Sequence, residues 1–311
     1  MLPYKLIYHA GYDLNLGDHV FPSRKYRMIH DRLIADGFAS PQDFEQPAAA
    51  TDDQVLLVHE PGWVQRLKTG TLSALELLKL EIPFSPQVVE GFWLATGGTI
   101  TAAHNALRDR IGFNIGGGFH HAFPAHGEGF CAINDVAIAV RTLQQEGVAA
   151  RALIVDCDVH HGNGTAAIFA GDTSVLTLSI HHFDNYPSEK PPSVIDIHLR
   201  TGVGDQEYLT RLGQACRVAM EGFQPDILFY LAGADPYEHD QLGGLSLTMQ
   251  GLQQRDRLVL EIARARLLPV AIVLAGGYAS DVEDTVTIHC NTAKAARDAL
   301  SNVDQIVIPG G

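Results

Sequence analysis

The sequence predicts an α/β fold: a single domain of three layers, a parallel sheet with helices on both faces. Three observations predict it. Short apolar runs with β-branched, nearly continuous cores recur along the 311 residues, the pattern of strands buried on both faces. Amphipathic stretches of helical period lie between them. The runs close on Gly, Asp or His, which collects the unusual residues at strand ends.

Taken in order, KLIYH (5–9) is the first expected strand and GFNIGGG (112–118) the second. ALIVDCD (152–158) and VLTLSI (175–180) follow, then ILFYLAGAD (227–235) and PVAIVLAGGY (269–278). The helices are expected in INDVAIAVRTLQQEG (133–147), EYLTRLGQACRVAMEGF (207–223) and GLQQRDRLVLEIARARL (251–267). PSEKPPS (187–193) is Pro-rich and reads as a loop, and the polar stretch from Ser40 to Asp53 as irregular. Neither resembles a linker, and no repeat of 20–50 residues is visible, so one domain spanning 1–311 is expected.

Composition narrows the function. The chain is 46% hydrophobic and 19% charged, which is globular. Its net charge is 22 − 36 = −14, which argues against a nucleic-acid backbone as the main ligand. The four cysteines, Cys131, Cys157, Cys216 and Cys290, form no C-x-x-C pair, so a zinc ribbon or thioredoxin-type motif is excluded. Scattered thiols suit a reducing compartment. The first residues lack the pattern of a signal peptide, and no run approaches 18 apolar residues. A cytoplasmic protein without a membrane span is the expectation; the oligomeric state is not legible.

Five successive strand ends carry GGGFHH, DCDVHHGNG, SIHHF, GAD and GGY, and in open α/β sheets ligands bind beyond the carboxyl ends of strands. If the strand runs on through DCDVHH (156–161), alternation points Asp156, Asp158 and His160 to one face. Two carboxylates and an imidazole crowded together repel unless a cation neutralises them, and no Arg or Lys lies in the segment. Asp158 and His160 are the natural metal pair, with Asp156, one step deeper, in support. Asp235, after small Gly233 and Ala234, is the best third ligand. One imidazole and two carboxylates suit zinc, and also Fe(II), Co(II) or Mn(II). Cys157 falls on the opposite face as a core thiol.

The adjacent His120 and His121 follow three glycines. Those glycines lack the lysine and spacing of a phosphate loop. Paired histidines beside a metal suit general acid–base work, with Asp156 and Asn163 available to orient them. Tyr278, after two glycines, can project its hydroxyl toward a developing oxyanion.

GGGFHH (116–121), GFC (129–131), DCDVHHGNGT (156–165), GAD (233–235) and GGY (276–278), in this order and spacing, resemble the zinc-dependent histone deacetylase superfamily. The match runs from about Tyr8 to about Leu300. FPSRKYRMI (21–29) and the compact catalytic domain look most like the class IV and bacterial deacetylase-like branch. The resemblance implies the arginase/deacetylase fold and removal of an acetyl or other acyl group from lysine side chains of proteins. It implies a zinc held by Asp158, His160 and Asp235, His121 as general base and acid, and His120 as its companion paired with Asp156. It further implies Tyr278 polarising the carbonyl and Phe130 and Phe183 walling the substrate tunnel beside Gly129 and Gly276. A structural potassium at Asp156, Asp158, His160 and Ser179, and Arg24 in an acetate-release pocket, complete the set. Position 163 departs from the class I pattern: Asn replaces Asp, and a neutral partner leaves His121 less basic.

Other readings share these residues. An acetylpolyamine or other small-molecule amidohydrolase would use the same site, though the long insertion associated with polyamine enzymes is lacking. A silent acyl-lysine reader would be free to lose Tyr278. A binuclear ureohydrolase needs bridging carboxylates that the sequence does not supply.

Overall fold

The computed structural model describes residues 1–301, so residues 302–311 of the expected 1–311 domain lie outside the described residues. Eight strands form one sheet: β1 (Leu6–Ile7), β2 (Phe44–Glu45), β3 (Ile111–Asn114), β4 (Ala152–Asp156), β5 (Val175–His182), β6 (Ile195–Leu199), β7 (Ile227–Leu231) and β8 (Val270–Val273). Their order is β2-β1-β3-β8-β7-β4-β5-β6. Every neighbouring pair is parallel.

Each of the six expected runs holds a strand. The two strands the runs missed, β2 and β6, are the sheet's edges. Continuous apolar runs mark strands covered on both faces, and β3, β4, β7 and β8 are buried throughout. Edge strand β6 is half-buried at Ile195 and Asp196 and exposes His198 between buried Ile197 and Leu199, and β2 is two half-buried residues inside the stretch read as irregular.

Side-chain alternation along β3 puts helices on both faces of the sheet. Gly112 and Asn114 face the helix Pro86–Asp109. A Cβ on Gly112 would lie 1.8 Å from the Ala102 carbonyl oxygen, and Asn114 Nδ2 donates to Ala95 O. Phe113, on the other side, stacks with Tyr4, whose hydroxyl donates to Ala293 O in the helix Val282–Ser301. The expected helices form as Asp135–Gln145, Asp205–Gly222 and Met249–Arg264. Asn134 starts the first of these by accepting from the Ala137 amide, and Thr248 starts the last by accepting from the Gly251 amide.

Because all strands run one way, the loops after β3, β8, β7, β4 and β5 emerge side by side at one edge of the sheet. β4 lies between β7 and β5, and β8 lies between β3 and β7. This order brings together segments far apart in sequence.

Candidate active site

β4 stops at Asp156, so strand alternation is not what unites Asp158 and His160. The backbone turns instead: Asp156 Oδ1 accepts the Asp158 amide at 3.1 Å, and Asp158 Oδ1 accepts the His160 amide at 2.9 Å. Carboxylates that bond the amide two residues on make Asx turns. The turn aims His160 Nδ1 at Asp158 Oδ1, 2.9 Å away, and at Asp235 Oδ2, 3.4 Å away, from the loop after β7.

One ligand atom from each of Asp158, His160 and Asp235 lies within 4.8 Å of the others, and all three residues are buried. The set fits a divalent ion on two further observations. Asp235 Oδ2 has no hydrogen-bond partner among the described residues. Burial, and then the Asp158 carboxylate beside it, push the Asp235 carboxyl up to about 7, so the negative charge of the pair is poorly compensated by the protein alone. Glycine is required around the cluster: a Cβ on Gly276 would lie 2.0 Å from Asp235 Oδ2, and one on Gly233 2.8 Å from Asp158 Cα.

The histidine pair follows β3. Asp135 builds its loop by accepting the amides of Gly118 and Phe119 and the Thr99 hydroxyl. His120 Nδ1 meets Asp156 Oδ2 at 2.7 Å, and His121 Nδ1 meets Asn163 Oδ1 at 2.7 Å. Burial opposes charge on His120, but the carboxylates of Asp156 and Asp158 outweigh it and hold this ring up at about 9. Burial, then the charges of His120 and His160, push His121 well down. The carboxylates thus favour the charged form of His120, while burial and the neighbouring rings favour the neutral form of His121.

A cavity of about 430 Å³ opens over the cluster, lined by His121, Gly129, Phe130, His160, Tyr186 and Tyr278, with Glu81 among its other lining residues. Gly129 and Gly276 sit where a side chain would intrude: a Cβ on Gly129 would lie 2.8 Å from both His121 and Tyr186. Tyr278 is anchored by its amide, which donates to Asp240 Oδ2 at 2.6 Å, and its ring lies 6.3 Å from that of His160.

Two expected residues are corrected. Phe183 does not line the cavity; it is 51% exposed and packs edge-on against His198. It ends the SIHHF segment and packs toward β6, while Tyr186, three residues on, turns inward and packs edge-on against His121. Arg24 is exposed and lines a separate surface recess with Asp13 and Asp18. The inward cation is its neighbour Lys25, fully buried, with Nζ donating to Ala275 O at 3.0 Å beside the Tyr278 ring. At a helix start, adjacent residues point about 100° apart, so a one-residue slip reverses the assignment.

Ser179 pairs with Asp156 across β4 and β5, and its hydroxyl meets His181 Nδ1 at 2.9 Å. Two supports were not foreseen. Arg255, fully buried and paired with Asp256, donates to the Gly233 and Cys157 carbonyls beneath the ligand loops. Glu128 accepts from Asn163 Nδ2 at 2.6 Å and from the Tyr186 hydroxyl at 3.2 Å. Neither lies within a motif; the acid beside GFC was the only available sign of Glu128.

Residues 19–293 match the histone deacetylase domain family. The chain is 42% identical over 296 residues to an uncharacterized protein of Picosynechococcus, covering 95% of this chain and 99% of that one. It is 29% identical to histone deacetylase 2 of Arabidopsis thaliana, over 96% of this chain and 78% of the relative. The crystal structure of the HDA15 HD domain shares the fold, with a TM-score of 0.79 and 24% identity over 95% of this chain and 89% of that one.

Proposed function

The chain belongs to the histone deacetylase family and is a hydrolase that deacetylates acetyl-lysine amides; we propose that it does so with one zinc-class ion held by Asp158, His160 and Asp235. The observation that carries this reading is the three-ligand cluster in a cavity that also holds His121 and Tyr278. A divalent ion bound there supplies Lewis acidity toward the acyl oxygen and acidifies water. Fe(II) and Co(II) suit the same donors.

His121 takes the proton of the attacking water on Nε2, because Nδ1 is committed to the Asn163 carbonyl oxygen. Neutral at working pH, it is ready to accept that proton, and it later delivers it to the leaving amine. His120, charged and held by Asp156, contributes positive potential to the developing oxyanion. Tyr278 donates its hydroxyl to the same oxygen. Phe130 and Tyr186 hold the neutral methylene stem of the lysine, and Gly129 and Gly276 leave room for it.

A structural potassium is also proposed at the carbonyls of Asp156, Asp158 and His160 with the Ser179 hydroxyl, since Asp158 and His160 sit in a turn outside the sheet ladder. The catalytic unit is proposed to span the whole 1–311 chain and to work in the cytoplasm, on acylated proteins rather than nucleic acid. No helix among the described residues is long and apolar enough to cross a membrane.

The test is an acyl-substrate panel on zinc-loaded enzyme, with acetylpolyamines beside acetyl-lysine peptides. The carboxylate of Glu81 in the cavity lining makes a cationic small amine the relevant rival. Preference for the peptide supports the proposal; preference for the polyamine replaces the substrate class.

A further inference from the structure

A second cluster of metal-ligating side chains lies away from the cavity. His161, from the turn after β4, His181, from β5, and Asp196, from edge strand β6, bring one ligand atom each within 4.8 Å of the others. His161 and His181 are fully buried and meet edge to face, with ring centroids 4.6 Å apart. None of the three belongs to the first cluster.

The polar atoms here are incompletely satisfied. His161 Nδ1 and Asp196 Oδ1 have no hydrogen-bond partner among the described residues, although both are buried. The His161 Nε2–Asp196 Oδ1 separation is 3.2 Å, without the alignment of a hydrogen bond. Leaving such groups unpaired in the interior is destabilising.

Two of the three residues are held from their far side, Asp196 and His181; His161 Nδ1 is not. Asp196 Oδ2 accepts the Ser193 amide at 2.9 Å, which leaves Oδ1 facing His161. His181 Nδ1 is engaged by the Ser179 hydroxyl at 2.9 Å, which leaves Nε2 facing His198 Nδ1. Partners on the far side of ligands are what orient a metal site. An entry path exists, because His198, whose Nδ1 lies 2.9 Å from His181 Nε2, is exposed and can turn aside.

We propose that His161, His181 and Asp196 form a second site for a zinc-class divalent cation, distinct from the catalytic one. Two imidazoles and one carboxylate, with a position left for water or His198, suit Zn(II) or Co(II). The ion ties edge strand β6 and β5 to the turn after β4, so its role is to stabilise this side of the fold. Bound only by the folded chain, it raises thermal stability with the logarithm of its free concentration once that exceeds the dissociation constant.

The test counts metal on the full chain. Chelator-stripped wild type and Asp196→Asn are titrated with zinc, and bound ion, melting temperature and acetyl-lysine peptide hydrolysis are read together. Wild type should bind about two equivalents and Asp196→Asn about one, a single ion for each three-ligand cluster. Peptide hydrolysis should be restored equally in both, while the zinc-dependent rise in melting temperature shrinks in the variant. Asp235→Ala should keep about one equivalent with no hydrolysis, which answers the question should Asp196→Asn not fold. One equivalent in wild type, two in Asp196→Asn, or none in Asp235→Ala overturns the proposal. Two equivalents in wild type and one in Asp196→Asn, without hydrolysis in either, would uphold this site while refuting the catalytic reading.

Discussion

Asn163 Nδ2 donates a 2.6 Å hydrogen bond to Glu128 Oε1, so the neutral partner of His121 is itself backed by a carboxylate. The bond fixes the amide's orientation. With Nδ2 on Glu128, Oδ1 must face His121 Nδ1, and the imidazole keeps its hydrogen there. A negative charge thus stands one residue behind the proposed base.

Glu128→Gln keeps an acceptor for Asn163 but removes the charge. The acidic limb of the kcat/KM pH profile, set by His121, should move to lower pH. Asn163→Asp puts two carboxyls 2.6 Å apart, and such a pair retains a shared proton. The limb should therefore rise less in Asn163→Asp than in Asn163→Asp combined with Glu128→Gln. Identical profiles in all the variants would uncouple these residues from the base.

Tyr278→Phe should leave metal content unchanged and lower kcat by about 10²–10³, the worth of one oxyanion donor. The hydrogen bond from the Tyr278 backbone amide to Asp240 and the ring packing survive the change, so the loop stays in place. Turnover within a few-fold of wild type would make Tyr278 a wall of the cavity and nothing more.

Gly276→Ala should cost metal affinity without unfolding the chain. Its Cβ would lie 2.0 Å from Asp235 Oδ2 and 2.5 Å from Asp158 Oδ2, closer than atoms can approach, so two of the three proposed ligands must shift. Excess zinc should recover part of the activity. Wild-type affinity in this variant would show that the ion sits elsewhere.

His59 sets a pH dependence of stability away from the site. Burial holds it down at about 4, against 6.5 for a free ring, with Nδ1 on Phe123 O and Nε2 accepting the Asn134 amide. The folded state keeps it neutral while the unfolded chain takes up a proton below pH 6.5. Stability present above that pH is therefore lost as pH falls toward 4, by roughly 3 kcal/mol for a shift of this size. Denaturant unfolding of wild type and His59→Gln from pH 7 to 4 should show a steeper decline in wild type. Parallel declines would mean that another group carries the effect.

The interior of the fold was legible because strands covered on both faces leave continuous apolar runs. Edge strands β2 and β6 leave none, and spatial order is a non-local property that no run encodes. Asp158, His160 and Asp235 were readable because uncompensated like charges at strand ends are conspicuous. Tyr186 and Lys25 were not, since which of two nearby residues turns inward depends on backbone direction that composition does not report. Glu128 and Arg255 act through partners 35 and 22 residues distant, Asn163 and Gly233, and carry no local signature.

The most direct test is to strip the protein of metal with a chelator and restore zinc while following hydrolysis of an acetyl-lysine peptide. Activity should disappear on stripping and return with the first bound equivalent in wild type, and fail to return in Asp235→Ala. Undiminished hydrolysis by stripped protein, or full recovery in Asp235→Ala, would contradict a deacetylase that works through Asp158, His160 and Asp235.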